Sequence, residues 1–405
     1  MKIFNATIAL FTFGSTALFN AANGQVPVTS EHRPNEYTMV CLEAPTRDCA
    51  FNAALQTVIA EDFGIERAKV LVGVARAMIA TNQQDKAIET LMLALDEARS
   101  VHLNLVTQEK ISEIAPLLAR AGNTAGALAL SDELQNVSIR DIVLYKIAEE
   151  AAALGSVSDM RVALKQTRNQ TRAFWRELSL LTRSPRISFA GLDVAALEAK
   201  ARDIENVDMK YRGLIQLAIL ADRMGRPGDR NALLTEADEM FPGVASIHSR
   251  AEVTADRARS MYEAGMDDAF VEASYELAVM HGDRLRGYET QATFANKIGV
   301  IESAHGNLDG ALARLEYFTE VEDKAAYIAT LRGGRDGIIL ASKVRNLLQD
   351  VADVEGAYSR DLIRITLLEG ALSNADLFLA RQIVEVIEDD DNQAYALALM
   401  APLLD

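Results

Sequence analysis

Apolar residues recur along most of this chain three and four positions apart, the spacing of one face of a helix. Between positions 71 and 94, Leu71, Val74, Ala75 and Met78 fall on one stripe, and Ala87, Leu91 and Ala94 fall on a second. Asn82 stands between them, a residue that tolerates left-handed backbone. The pattern predicts two antiparallel helices joined by a tight turn. Small residues at 75, 87 and 94 let the helices approach closely, and large ones at 71, 74, 78 and 91 fill the gaps between neighbouring pairs. Alternation of β-branched residues, the signature of a half-buried strand, is absent.

The turn signal repeats. Gly122 is followed five positions later by Ala127, and Gly306 by Ala311, as Asn82 is by Ala87, with looser copies at Gly155, Gly225, Gly265 and Asn374. The intervals are 40, 33, 70, 40, 41 and 68 residues, the two long ones each close to two units. A period near 36 residues, sustained from Asn82 to Asn374, is the mark of a helical solenoid. The expected fold is all-α: a right-handed superhelix of about eight to nine antiparallel helical hairpins spanning residues 51–405.

The spacing within the units resembles the tetratricopeptide repeat. Leu71, Ala75, Ala87 and Ala94 match that family's order of large residue, small residue, Ala and Ala. Ile111, Ala115 and Ala127 match in the next unit, with Leu134 in the last place, and Ala295, Gly299 and Ala311 match later, with Phe318 in the last place. The family's Trp and closing Pro are missing. The resemblance implies a surface built from first-helix residues that do not pack inside the hairpin, on which such arrays bind peptides or proteins. Here those residues are Lys69, Val72 and Arg76, joined by Arg257 and Tyr262 on the helix before Gly265.

Two features interrupt the rhythm. Pro185 breaks the helical pattern near residues 182–192, close to the chain's one tryptophan, Trp175, and Gly333-Gly334-Arg335-Asp336-Gly337 reads as a turn between helices. Residues 25–50 hold Pro27, Pro34 and Pro45, three of eight prolines, and read as an irregular extension.

The first 24 residues read as an address. Lys2 precedes a mostly apolar run from Ile3 to Ala22, and small residues allow cleavage after Gly24 or after Ala22. A membrane anchor is the rival reading, but Asn5, Thr7, Thr12, Ser15, Thr16 and Asn20 make the run polar for a span. The expectation is therefore a protein exported to the periplasm or secreted, without membrane insertion once the signal is cleaved. The only cysteines, Cys41 and Cys49, have seven residues between them and are expected to pair in an oxidising compartment.

Charge and motifs narrow the function classes. With 41 Lys and Arg against 58 Asp and Glu, the chain carries a formal charge of −17 and no basic patch, which argues against nucleic acid as a partner. Zinc-protease, nucleophile-elbow, phosphate-loop and dinucleotide motifs are missing. The histidines, His32, His102, His248, His281 and His305, are scattered, and Cys41, Cys49 and His32 lack a fourth ligand for zinc. No metal or cofactor is expected. Glu388-Asp389-Asp390-Asp391 lacks the spacing of a calcium loop and reads as the start of the last helix, capped by Asp391 or Asn392. Arg250, Arg257 and Arg259, with Arg284 and Arg286, read either as salt-bridged helix faces or as a groove for an acidic peptide, with Arg76 and Arg257 as its candidate anchors. Taken together, the sequence implies a non-catalytic exported scaffold or adaptor. The alternatives are an accessory module of a cell-envelope enzyme and a self-associating structural protein.

Overall fold

The computed structural model describes residues 36–43, 45–60, 64–334 and 337–404. The proposed signal segment, His32, Pro27 and Pro34 lie outside the described residues. Those described are helical or connecting, with no strand among them. They form two compact units. One joins the two ends of the chain, residues up to Glu97 and from Glu302 on, and the other runs from Ala98 to Ile301.

The end-joining unit begins with α1 (Glu36–Glu43), α2 (Arg47–Ala60), α3 (Gly64–Ala80) and α4 (Gln84–Ser100). Helix α1 and the first turn of α2 thus lie in residues 25–50, where an irregular extension is expected. Pro45 falls in the connection between them, where it breaks no helix, and Thr46 Oγ1 accepts the Cys49 backbone N–H at the start of α2. Cys41 on α1 and Cys49 on α2 are joined as a disulfide, with Cα atoms 5.5 Å apart. In α3 and α4 the stripes read from sequence form the core: Leu71, Val74, Ala75, Ala87, Leu91 and Ala94 are all buried, and Lys86 is exposed. Arg67 pairs with Glu97 and Thr90 Oγ1 meets Met78 Sδ, so α3 and α4 are antiparallel.

The middle unit holds α5 (Asn104–Arg120), α6 (Thr124–Ser131), α7 (Val137–Ala153), α8 (Val157–Lys165), α9 (Gln170–Arg183), α10 (Val194–Arg202), α11 (Val207–Arg223), α12 (Pro227–Met240), α13 (Ile247–Glu263) and α14 (Asp268–Gly282). The next helix, α15 (Tyr288–Ala304), runs to its boundary. Long first helices and shorter second helices alternate. The turns between them use left-handed backbone where the sequence signals it, at Gly122, Gly155, Gly225 and Gly265. Polar caps recur as well: Asn123, Asn136, Ser156, Asn169, Asn206 and Ser246 each accept a backbone N–H from the first turn of the helix they precede. The break expected at 182–192 is the connection between α9 and α10.

The end-joining unit resumes with α16 (Leu308–Ala313), α17 (Val321–Thr330), α18 (Gly337–Ala352), α19 (Ala357–Ser373), α20 (Leu377–Glu385) and α21 (Asp390–Met400). Two sequence readings shift here. The left-handed residue of the α19–α20 turn is Ala375, because Asn374 spends its side chain on Leu331 O, Gly370 O and the Gly333 N–H. The cap of α21 is Asp389, whose carboxylate accepts the Asn392 N–H, rather than Asp391 or Asn392. Nine helix–turn–helix pairs follow one another along the described chain, from α3–α4 to α19–α20.

A tenth pair is made from both ends of the chain. Helix α21 packs against α2 and α3, with Ala394 and Ala398 in one buried cluster with Ala54, Val70 and Val74. Arg47, the first residue of α2, donates to Ala401 O and Leu404 O beyond the end of α21, so α21 and α2 are antiparallel. The Tyr395 ring lies where a Cβ on Gly73 would be, which explains a glycine in the middle of α3.

Candidate functional site: a charged row on the first helices

Within the middle unit the first helices pack side by side, α5 on α7, α7 on α9, α9 on α11 and α11 on α13. Their apolar stripes are turned into the hairpins, so their polar residues line up from helix to helix. Arg120 pairs with Glu150 of α7 at 3.8 Å, and Glu149 pairs with Arg176 and Arg183 of α9. Arg183 reaches Glu263 of α13, which also takes Arg259 at 2.7 Å. On α11, Arg212 pairs with Glu252 and Asp256 of α13, and Lys297 of α15 meets the same two carboxylates at 3.1 and 2.8 Å. Six cations and five carboxylates alternate in this row.

Beneath the row, buried Gln216 of α11 bridges Thr182 of α9 at 2.6 Å and Ser260 of α13 at 2.8 Å. The Arg223 guanidinium gathers the carbonyls of Leu181, Thr182 and Ser184, satisfying the orphan end of α9. These neutral and cation–carbonyl bonds fix the lateral spacing of the first helices. An exposed pair such as Arg120–Glu150 adds only about 0–1 kcal/mol.

The α11–α13–α15 end is the most desolvated. Burial lowers the Lys297 ammonium, and the Arg212 charge beside it adds to that, against the pull of Glu252; together they bring it from 10.5 to about 8. Burial would raise Glu252, but Lys297 and Arg212 outweigh it and hold the carboxyl below its ordinary value. A lysine lowered on folding binds fewer protons folded than unfolded between pH 8 and 10.5, so its contribution to stability improves as pH rises through that window. Below pH 8 the cost of burying the cation is present in full. Chemical unfolding at pH 7.5, 9 and 10 should therefore show wild type gaining stability relative to Lys297→Met as pH rises. A difference that stays flat would refute the assignment.

The residues picked from sequence are placed otherwise. Val72 is fully buried, so it does not line a surface: the helix packs on that side as well. Lys69 Nζ lies 5.8 Å from the Tyr358 ring, and Arg76 lies 5.9 Å from the Tyr395 ring and 3.5 Å from Glu369, all contacts of α3 with α19 and α21. Arg257 is 11% exposed and donates to Tyr211 Oη, Asp238 and Ser274 Oγ, bracing α13 against α11, α12 and α14. Tyr262 is half-buried near the end of α13. Arg259 is paired with Glu263, in keeping with the salt-bridged helix face that sequence offers as one reading, whereas Arg250 donates to the Val244 and Pro242 carbonyls.

Arg212, Gln216, Glu252, Asp256 and Lys297 are absent from the sequence candidates. A signal for them exists. Arg212 and Glu252 each stand thirteen residues before a turn glycine, and Gln216, Asp256 and Lys297 each stand nine before one. Counting back from the turns, instead of forward along one helix, finds the α11–α13–α15 end of the row.

No protein-family model matches the chain, and no curated protein matches it. Among solved structures it is similar to a "Circular tandem repeat protein with novel repeat topology and enhanced subunit contact surfaces", with 14% identity and a TM-score of 0.20 over 87% of this chain and 84% of that one. A likeness that weak carries no argument. The helical-repeat assignment stands on the chain's own helices, turns and caps.

Proposed function

We propose that this protein is a non-catalytic scaffold, exported from the cytoplasm, that binds a protein or peptide partner along the first-helix face of residues 98–301. The observation that carries the reading is the set of ion pairs from Arg120 to Lys297, in which six cations and five carboxylates link neighbouring first helices. Its near balance of cations and carboxylates, in a chain of net charge −17, suits a polar partner of mixed charge better than a polyanion. Export is supported by the apolar N-terminal run and by the Cys41–Cys49 disulfide, and no helix among the described residues is long and apolar enough to cross a membrane.

Site-specific photo-crosslinking in intact cells tests the surface. A photoreactive residue at Lys146 or Tyr262, both on first helices, should capture one discrete partner in protein whose N-terminus is Asn23 or Gln25. The same residue at Val162, 46% exposed on second helix α8, should capture none. Capture from Val162 alone, or from none of these sites, would remove the first-helix assignment.

A further inference from the structure

A second cluster in the middle unit uses none of the residues of the charged row. It lies where α14 ends against the connection between α12 and α13. Residues Phe241–Gly243 make one tight helical turn in that connection. The Phe241 ring is held from two sides, by Tyr211 of α11 with ring centroids 5.6 Å apart and by His281 of α14 at 5.2 Å. Arg250 of α13 ties down the same turn by donating to the Pro242 and Val244 carbonyls. His281 is thus one jaw of the clamp on Phe241.

The histidine is 6% exposed, and its Nε2 is buried with no hydrogen-bond partner among the described residues. A neutral ring fits such a site: with its hydrogen on Nδ1 it leaves only a lone pair unmet. Protonation turns Nε2 into a charged donor facing no acceptor, and a buried charge without a partner is costly. The charged groups that bear on the ring are themselves cations, Arg250 of α13 and Arg284 of the turn after α14, whose backbone N–H donates to His281 O at 3.3 Å. From α11 comes Tyr211, whose Oη accepts from Arg257, and Arg257 also takes up Asp238 of α12. Helix α15 brings the Phe294 ring against Gly282. Asp283 and Arg286, next along the chain, are exposed.

Two effects favour the cation, since both the last turn of α14 and an aromatic face attract positive charge. Burial first, then Arg284 and Arg250, outweigh them and lower the ring below the ordinary histidine value of 6.5. Just below pH 6.5 the folded protein therefore binds fewer protons than the unfolded chain, and the stability contributed by the neutral ring, present in full above that pH, is lost as acid is added. We propose that His281 is an acid-sensitive latch of the middle unit. Protonation sends its ring out to water, and the 241–244 turn and the last turn of α14 loosen together while α5–α8 stay closed.

Hydrogen–deuterium exchange on the full chain at pH 7.5 and 5.0, corrected for intrinsic rates, tests this with wild type, His281→Phe and His281→Gln. Neither replacement titrates. Phenylalanine keeps a ring against Phe241, and glutamine serves as the smaller polar substitute. Acid should raise exchange in residues 241–247 and 278–287 of wild type at least about threefold more than in either variant. Residues 104–153 should show no such difference. In wild type labelled with 13C-histidine, the resonance missing from both variants should titrate below pH 6.5. A midpoint at or above 6.5, or an equal rise of exchange in both segments of wild type and variants, would overturn the latch. So would acid opening spread evenly from α5 to α15, which is unfolding of the whole unit.

Discussion

Replacing Asp361 with alanine should cost about 3–5 kcal/mol and detach the C-terminal helix. Asp361 lies on α19 with no exposure to solvent. Its carboxylate accepts the backbone N–H groups of Glu388 and Asp389 at 3.0 and 2.9 Å, the Asn392 side-chain amide at 3.2 Å and an Arg364 N–H at 2.9 Å. Arg364 in turn meets Glu388 at 2.8 Å, and Glu388 is held at about 2 by hydrogen bonds from Arg360 and then Arg364, against burial. One buried anion thus fixes the first turn of α21 and neutralises a buried guanidinium. Alanine leaves three neutral donors without an acceptor and removes one of the two carboxylates that the Arg364 guanidinium meets, and an unmet buried donor costs more than a made bond gains.

The consequence reaches the other end of the chain. Helix α21 supplies the partner for α2 and the Tyr395 ring over Gly73, so its release exposes the apolar faces of α2 and α3. Thermal unfolding of Asp361→Ala should show a markedly lowered midpoint, and the variant should bind a hydrophobic dye below that midpoint. Asp361→Asn, which keeps one acceptor oxygen, should lose less. A loss under about 1 kcal/mol for the alanine variant would mean that α21 is held by its apolar face alone.

This closure is also where sequence reading stops. Hairpins are local, so their stripes, turn glycines and small contact residues can be read within 40 residues, and Ala75, Ala87 and Ala94 fall where spacing puts them. Pairing of α21 with α2 joins positions more than 300 apart, and no local pattern encodes it. Arg76 shows the result. By helical phase it belongs to a surface, and α19 and α21 then pack against that surface. The same limit explains Arg257: phase gives the face of a helix, but its partners Tyr211, Asp238 and Ser274 come from three others. The helical residues 36–43 and 47–50 escape the sequence pattern for a different reason. Proline density reads as irregular chain, although Pro45 between two helices disturbs neither.

Substituting valine for Gly370 should separate α17 from α19 and cost more than about 2 kcal/mol. A Cβ on Gly370 would stand 2.7 Å from Ala329 Cα and 2.9 Å from Ala329 Cβ. Backbone atoms cannot rotate away as a side-chain tip can, so the helices must part. Helix propensity works the other way, since a residue with a Cβ gains about 1 kcal/mol over glycine in a helix interior. Even Gly370→Ala should come out destabilising, because overpacking a closed contact costs about 1–3 kcal/mol and valine adds two methyl groups to it. Parting α17 and α19 also strains the Asn374 bonds to Leu331 O and the Gly333 N–H, which tie the same two helix ends together. Gly228 is the matched control: exposed in the first turn of α12, with nothing within 4 Å of a Cβ. Gly228→Ala should be neutral or stabilise by up to about 1 kcal/mol. Urea unfolding of the two alanine variants should therefore move in opposite directions. Equal shifts of the same sign would show that helix propensity, and not the approach of α19 to α17, decides the outcome at Gly370.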